Sequence, residues 1–321
     1  MTGLVEIIAP NALTVPSQPI TAEMALALWL ANYRSKNTRA AYAFEIEAFA
    51  KFFAGGDIPK AVKQLLSLED GPANAVADAW RQHKIREMQS SSTINRSMAA
   101  LNSFVKAARR VGATKLRLEA KGEPSVPYRD TRGPGAANVR RMIEAAGRQK
   151  NAAKAARDGA MLALLFHRGL RRGEVVSLNL SHVDLEAGTV SILGKGRTER
   201  TPLTIPPQIC AALAAWLDHR GEAGPNDPLF IDLSSNSRSE RISGCGIHHV
   251  VRKLGEEIGI RARPHGLRHS AITTALDAFG GDYRKVKGFS RHRNIATVEK
   301  YDDNREDHGG QVADALCAIV K

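Results

Sequence analysis

Through the first third of the chain, apolar residues recur every three or four positions, which is the spacing of helices that bury one face. One such stripe lies between residues 37 and 53, is followed by two glycines, and consists of Tyr42, Ile46, Phe49 and Phe53. A stripe with the same spacing lies between residues 90 and 112 and consists of Ile94, Met98, Leu101 and Val105. Further helices are predicted at residues 24–33, 60–68 and 72–88. The pattern therefore predicts an almost entirely helical first domain.

The second half of the chain has the same helical character with one interruption. Two β-leaning runs between residues 188 and 207 flank the turn Gly194-Lys195-Gly196, which predicts a small hairpin. Helices are predicted around it at residues 137–149, 155–169, 208–219, 244–259, 268–280 and 311–321. The expected fold class is mainly α with a small β-hairpin or sheet.

A stretch without lasting periodicity separates these halves. Residues 113–135 combine prolines, glycines and basic residues, a composition typical of a linker. We therefore expect an N-terminal extension at 1–19, a helical first domain at 20–112, a linker at 113–135 and a second domain at 136–321.

Charge narrows the class of partner. The 321 residues include 46 Lys and Arg against 33 Asp and Glu, a formal net charge of +13 and a pI near 9.9. This balance favours nucleic acid over a membrane or an acidic protein. No apolar run reaches membrane-spanning length, no signal peptide is recognisable, and Cys210, Cys245 and Cys317 give no disulfide framework. We expect a cytoplasmic protein, associated with the nucleoid when bound to DNA.

Small polar and basic residues at predicted helix starts are candidate DNA contacts, because free backbone amides there attract phosphate. In the first domain these are Thr38, Arg39, Thr93, Asn95 and Arg96. Arg129 and Arg132 in the linker are further candidates. Taken singly, each basic residue is better explained as part of a solvated helix surface, and it is the joint pattern at the two helix starts that favours phosphate contacts.

A set of phosphate-seeking residues followed by a tyrosine runs along the second half: Arg171, Lys195, His265, Arg268, His292 and Tyr301. Fixed cations and imidazoles suit a phosphate whose charge rises during reaction, and a tyrosine hydroxyl can attack that phosphate. Each member also has an ordinary explanation. Arg171 suits a helix-start ion pair with Glu174, Lys195 an exposed turn, and Tyr301 a core position with a satisfied hydroxyl.

Nucleotide and metal chemistry fit the sequence less well. The Gly-Lys-Gly turn lacks the spacing of an ATP-binding loop, and Gly196 stands where Ser or Thr is needed. His265 and His269 are four apart, but the zinc-protease pattern needs a glutamate where Gly266 stands. Cys245 with His248 and His249 has no second closely spaced pair. We expect neither a cofactor nor a metal.

Taken together, these motifs resemble the tyrosine recombinases, or phage integrase family. The resemblance rests on residues 169–185 for the first-arginine box, 264–276 for the second box and 289–301 for the histidine-to-tyrosine segment. Residues 37–53 and 92–108 resemble the family's helical core-binding domain, so the resemblance implies that 20–112 binds DNA and that 136–321 is the catalytic domain. The resemblance implies a mostly α, C-shaped clamp on DNA and a site-specific recombinase of the simple two-domain, Xer-like type.

The resemblance also implies how the reaction proceeds. Arg171 and Arg268 would clamp the non-bridging oxygens of the scissile phosphate, and Tyr301 would attack in line to form a 3′-phosphotyrosine. His265 would accept the tyrosine proton and Lys195 would protonate the departing 5′-oxygen. The implied partners are double-stranded DNA with paired core sites, a homotetramer that passes through a Holliday junction, and accessory proteins.

Two features depart from the family pattern. A Gly-His pair is usual before the variable residues of the last box, whereas this chain has Ser290-Arg291-His292, which adds a cation. Asp302 and Asp303 add negative charge after the tyrosine. By resemblance, His292 would hydrogen-bond the phosphate, and the segment 311–321 would pack on a neighbouring protomer. Two other functions stay open: DNA relaxation of the type IB topoisomerase kind, and non-catalytic DNA-binding regulation.

Overall fold

A computed structural model of the chain describes residues 19–124, 133–194, 196–234, 240–299, 301 and 308–319. The chain divides into two units, Met1–Tyr128 and Arg129–Lys321. The division falls within the stretch that the sequence predicts as a linker.

The described part of the first unit is helical, as predicted. Its helices are α1 (Ala22–Ala31), α2 (Lys36–Ala54), α3 (Ile58–Ser67), α4 (Asp70–Arg86) and α5 (Ser91–Arg110). Four of these helices begin at a residue whose side-chain oxygen accepts a hydrogen bond from a backbone N–H of the first turn. These capping residues are Thr21, Ser35, Asp57 and Ser90. Gly55 ends α2 in the left-handed conformation.

The two predicted stripes meet in the core of this unit. Ile46 and Phe49 of α2 and all four stripe residues of α5 are buried, whereas Tyr42 and Phe53 pack against them partly exposed. The same core encloses the carboxylate of Glu45, which lies 3.6 Å from the Lys84 ammonium and 2.7 Å from Nε of Arg96. Burying a carboxylate without partners would cost several kcal/mol, and this ion cluster offsets that cost.

The first part of the predicted linker is not a linker in the structure. Residues 114–124 run along α4 and α5, with Leu116 buried and the Thr114 hydroxyl donating to the Leu66 carbonyl at 2.7 Å. The Asn102 amide pairs with the backbone of Ala120 through two hydrogen bonds. These contacts make the segment part of the first unit.

The second unit is mostly helical and contains one small sheet, as predicted. Its helices are α6 (Ala136–Gly147), α7 (Ala152–Phe166), α8 (Arg172–Val176), α9 (Pro207–Arg220), α10 (Gly244–Glu257), α11 (Pro264–Ala278), α12 (Tyr283–Ser290), α13 (Ala296–Glu299) and α14 (His308–Ile319). The predicted hairpin is β2 (Thr189–Leu193) with antiparallel β3 (Arg200–Thr204), and β1 (Val183–Asp184) adds a third strand in the order β1-β2-β3.

Two apolar clusters organise this unit. The larger surrounds α7 and includes Trp216 and Phe230, whose rings stack. The smaller joins α11, α12 and α13 through Ile272, Leu276, Val286, Val298 and Tyr301. The predicted nucleophile therefore belongs to a core, and that core includes α11, which carries His265 and Arg268.

Candidate active site

Arg171 lies at the start of the short helix α8, paired with a buried carboxylate. Its backbone N–H donates to Oε2 of Glu174 at 2.8 Å, and its Nη1 lies 2.9 Å from Oε1. Glu174 is 3% exposed, whereas the Arg171 side chain remains 31% exposed. The ion pair considered from the sequence is therefore present, and it holds the guanidinium while leaving part of it accessible.

Arg268 stands on α11 and is 2% exposed. It donates to the carbonyl oxygens of Gly169 and Ser290, and its Nη2 donates to Nε2 of His292 at 3.4 Å. Burial, with the nearby charges of Arg171 and Arg291, lowers the Arg268 pKa to about 10. The group therefore remains a cation at neutral pH, held by backbone carbonyls in the interior.

The two candidate histidines are neutral at neutral pH. His265 lies on α11 and keeps part of its surface exposed. Desolvation of the imidazole is the largest cause that lowers its pKa, followed by the charges of Arg268 and Arg171. The same causes, in the same order, lower the pKa of His292 to about 4. Nδ1 of His292 is buried and has no hydrogen-bond partner among the described residues. A neutral imidazole at either position can accept a proton.

Tyr301 is 9% exposed and lies between two imidazoles. Its ring centroid is 4.7 Å from that of His269 and 5.5 Å from that of His292, with the latter pair stacked at 23°. Desolvation raises the pKa of the phenol, although Arg268 and Arg171 act to lower it. The hydroxyl is therefore protonated at neutral pH, and any attack by it requires a proton acceptor.

The structure thus brings together five of the six residues predicted to carry the chemistry: Arg171, His265, Arg268, His292 and Tyr301. Arg268 contacts His292, whose ring stacks on Tyr301, and His265 stands three positions before Arg268 on α11. Arg171 is joined to this group through Glu174 and Arg291, which shares the Gly169 carbonyl with Arg268. Lys195 lies outside the described residues, between β2 and β3 in the sequence.

The site also contains residues to which sequence reasoning gave no role. Arg291 follows α12 with φ 59°, in the left-handed region, and donates to Oε2 of Glu174 at 2.9 Å. His269 packs against Tyr301, and Gly169 supplies a carbonyl acceptor to Arg268 and Arg291. The extra cation of Arg291 is visible in the sequence, but its partner Glu174 is 117 positions away.

The candidate DNA contacts at the start of α5 make hydrogen bonds within the first unit. Both ends of the Asn95 amide bond the backbone of Glu123, at 3.0 and 2.6 Å. Arg96 donates to Glu45, but its side chain remains 45% exposed. The Thr93 hydroxyl lies 3.0 Å from that of Ser90. Of these residues, Arg96 has the most side chain free for a phosphate.

At the start of α2, Arg39 is exposed and donates to the Tyr33 carbonyl at 3.1 Å. The backbone N–H of Thr38 is capped by the Ser35 hydroxyl at 3.3 Å. Arg129 and Arg132 lie outside the described residues. All of these positions stay predictions as DNA contacts.

The described ranges contain neither a metal-binding cluster nor a membrane span. No group of three or more His, Cys, Asp or Glu is placed within them to hold a metal ion. None of the helices described is long and apolar enough to cross a membrane.

Residues 136–308 match the sequence profile of the phage integrase family. A tyrosine recombinase of Synechococcus elongatus is 36% identical over 327 residues, covering the full length of both chains. A tyrosine recombinase of Synechocystis sp. is 35% identical over 316 residues, covering 97% of this chain and 99% of the relative.

Solved structures with a similar fold include XerH site-specific recombinase bound to palindromic difH substrate in a post-cleavage complex. It has a TM-score of 0.68 and 17% identity, covering 93% of this chain and 90% of that one. A lambda integrase dimer bound to a core site has a TM-score of 0.63 and 13% identity, covering 89% and 77%. At these identities the likeness establishes the fold.

Proposed function

Because the chain belongs to the phage integrase family and is a tyrosine site-specific recombinase, we propose that it cleaves and rejoins double-stranded DNA through a 3′-phosphotyrosine at Tyr301. One observation carries the assignment: the Tyr301 ring stacks on His292, whose Nε2 lies 3.4 Å from Nη2 of Arg268. A phosphate bound by that guanidinium would lie on the side of the site that contains Tyr301.

Arg171 and Arg268 clamp the non-bridging oxygens of the scissile phosphate in this proposal. Each guanidinium is already fixed by protein acceptors, Arg171 by Glu174 and Arg268 by the carbonyls of Gly169 and Ser290. Fixed cations stabilise the charge that develops on the phosphorane without reorganising during the reaction. Arginine suits the task because it stays charged and binds phosphate through two parallel N–H donors.

Proton transfers accompany the exchange of bonds. The Tyr301 oxygen forms a bond to phosphorus while the bond from phosphorus to the 5′-oxygen breaks, and His265 accepts the phenol proton. The lowered pKa of His265 keeps it neutral and ready for this role. Lys195 donates a proton to the departing 5′-oxygen, and His292 hydrogen-bonds the phosphate. Rejoining reverses these steps with a new 5′-hydroxyl, so the phosphodiester energy is retained without ATP.

The proposed assembly places two protomers on each core site and four in the synapse, with a Holliday junction between strand exchanges. Leu316 and Ile319 of α14 are exposed by 57% and 79%, which supports docking of this helix on a neighbouring protomer. Truncation after Gly310 should then leave DNA binding intact and abolish tetrameric recombination.

We propose that the protein is cytoplasmic and is associated with the nucleoid when bound to DNA. Accessory proteins are further proposed partners.

The experiment traps the covalent intermediate on a nicked suicide substrate in the presence of a chelator. Tyr301→Phe should bind DNA and form no adduct, while the control Tyr283→Phe should form it normally. An adduct in Tyr301→Phe, or strict dependence on magnesium, contradicts the assignment. A two-site exchange assay separates recombination from topoisomerase-like relaxation, which needs no second site. A complete lack of adduct from the unmodified chain would favour a DNA-binding regulator.

A further inference from the structure

Arg291 occupies a backbone conformation that an arginine adopts at a cost. It follows α12 with φ 59°, in the left-handed region where a Cβ crowds the following carbonyl and where glycine fits without strain. Such strain persists where surrounding interactions hold the residue in place, and it concentrates at functional sites. The contacts of the side chain therefore have to account for an arginine at this position.

The Arg291 guanidinium is 16% exposed and bonded on several sides. Nη2 lies 2.9 Å from Oε2 of Glu174 and donates to the Gly169 carbonyl at 3.1 Å. Nη1 donates to the Phe289 carbonyl at 3.0 Å and to the Arg168 carbonyl at 3.4 Å. The side chain thus joins the loop before α8 to the end of α12.

Two of these acceptors also hold the proposed phosphate clamp. The carboxylate of Glu174 accepts Arg291 on Oε2 and the Arg171 guanidinium on Oε1. The Gly169 carbonyl accepts both Arg291 and Arg268. A movement of Arg291 therefore changes the position of an acceptor of each clamping arginine.

Charge gives Arg291 a second effect on the same groups. Glu174 is a nearly fully buried carboxylate, and among the described residues its salt bridges are with Arg171 and Arg291. By sharing Glu174, Arg291 leaves Arg171 less completely neutralised and better able to attract a phosphate oxygen. The position and the charge of the clamp both depend on the same side chain.

We propose that Arg291 is a positioning residue that holds Glu174 and the Gly169 carbonyl, and through them fixes Arg171 and Arg268 for transition-state stabilisation. The inference rests on the proposed function, since it concerns the same phosphate. It extends that function by giving the arginine that departs from the family's usual Gly-His pair a role in the chemical step.

The test compares Arg291→Gly and Arg291→Lys with Arg284→Gln, which removes an exposed cation from the same helix. Single-turnover adduct formation is measured over a range of suicide-substrate concentrations, and thermal unfolding is recorded for each variant. Glycine relieves the backbone strain, so Arg291→Gly should remain folded. Because small displacements of catalytic groups slow reactions strongly, its maximal cleavage rate should fall about 10- to 100-fold. The half-saturating DNA concentration should stay unchanged, and Arg291→Lys should fall between glycine and arginine.

Coupling to Glu174 separates positioning from general helix support. In a Glu174→Gln background, Arg291→Gly should slow cleavage much less than it does in the unmodified chain, because the shared carboxylate is already gone. Full additivity of the two substitutions would overturn the inference, as would normal cleavage by Arg291→Gly or a rate loss matched by its unfolded fraction. Adduct formation by Tyr301→Phe would instead contradict the proposed function, so the two failures are distinguishable.

Discussion

Gly169 offers a way to disturb the site without removing any charged side chain. Its φ is 59°, and a Cβ added there would lie 3.0 Å from two atoms of the Phe289 ring. Its carbonyl accepts hydrogen bonds from Arg268 and Arg291. Gly169→Ala should therefore displace the backbone to which both guanidiniums are bonded.

The size of the effect follows from that geometry. The left-handed conformation costs a residue with a Cβ about 1–2 kcal/mol, and the crowding adds about 1–3 kcal/mol. Carbon atoms pack best at about 3.5–4.0 Å, so the Phe289 ring or the Gly169 backbone has to move by about 0.5 Å or more. A displacement of this order at the acceptor of Arg268 should slow cleavage about 10- to 100-fold. The combined loss stays below the usual free energy of unfolding of about 5–15 kcal/mol, so the protein should remain folded.

Gly159→Ala is the matched control. Gly159 lies inside α7, where an added Cβ meets nothing within 4 Å, so alanine should stabilise the helix by about 1 kcal/mol and leave cleavage unchanged. Adduct formation and urea unfolding are measured for both variants. If Gly169→Ala cleaves as fast as Gly159→Ala, the backbone at 169 does not hold the clamp and the reasoning is refuted.

Three further predictions concern charge. Glu45→Gln leaves the Lys84 ammonium, which is 4% exposed, without its counter-charge, so the free energy of unfolding should fall by about 3–5 kcal/mol. Urea unfolding followed by tryptophan fluorescence measures this change, and a loss below about 1 kcal/mol would contradict the prediction. Because the pKa of His265 lies below the ordinary 6.5, the cleavage rate should fall to half its maximum at a pH below 6.5, and a midpoint above 6.5 would exclude it as proton acceptor. The pKa of His292 is about 4 when folded, so the unfolded chain binds this proton first and stability should fall as the pH drops from about 6.5 to about 4. Urea unfolding of His292→Gln should show a flatter decline over that range, and an identical slope would contradict the shift.

The sequence predicts the long elements well because their burial is periodic. The stripe from Ile94 to Val105 gives α5 and its buried face, and the Gly-Lys-Gly turn gives the hairpin of β2 and β3. The short elements α8, α13 and β1 have five, four and two residues, which is too few for a period to appear. They are fixed by contacts with distant parts of the chain.

In the candidate site, too, the sequence predicts some features, whereas others depend on contacts between distant parts of the chain. The residue types at Arg171, Arg268 and Tyr301 indicate phosphate chemistry from the sequence alone, but the pairing of Arg291 with Glu174 depends on tertiary folding. The segment 114–124 reads as a linker because its composition is irregular, yet hydrogen bonds to α5 attach it to the first unit. The composition of a segment indicates its local conformational preference, whereas these contacts form only when distant parts of the chain pack together.

Because Tyr301 packs in the small apolar cluster, its phenol ring helps to stabilise the local fold. Withdrawing a largely buried ring toward a phosphate gives up about 2 kcal/mol of burial, which reduces the exposed population about thirtyfold. If Tyr301 is the nucleophile, as proposed, this cost slows its reaction with phosphodiesters that make few other contacts with the protein. A duplex whose contacts offset the cost would be cut faster, so the packing of α11, α12 and α13 would help to select which DNA is broken.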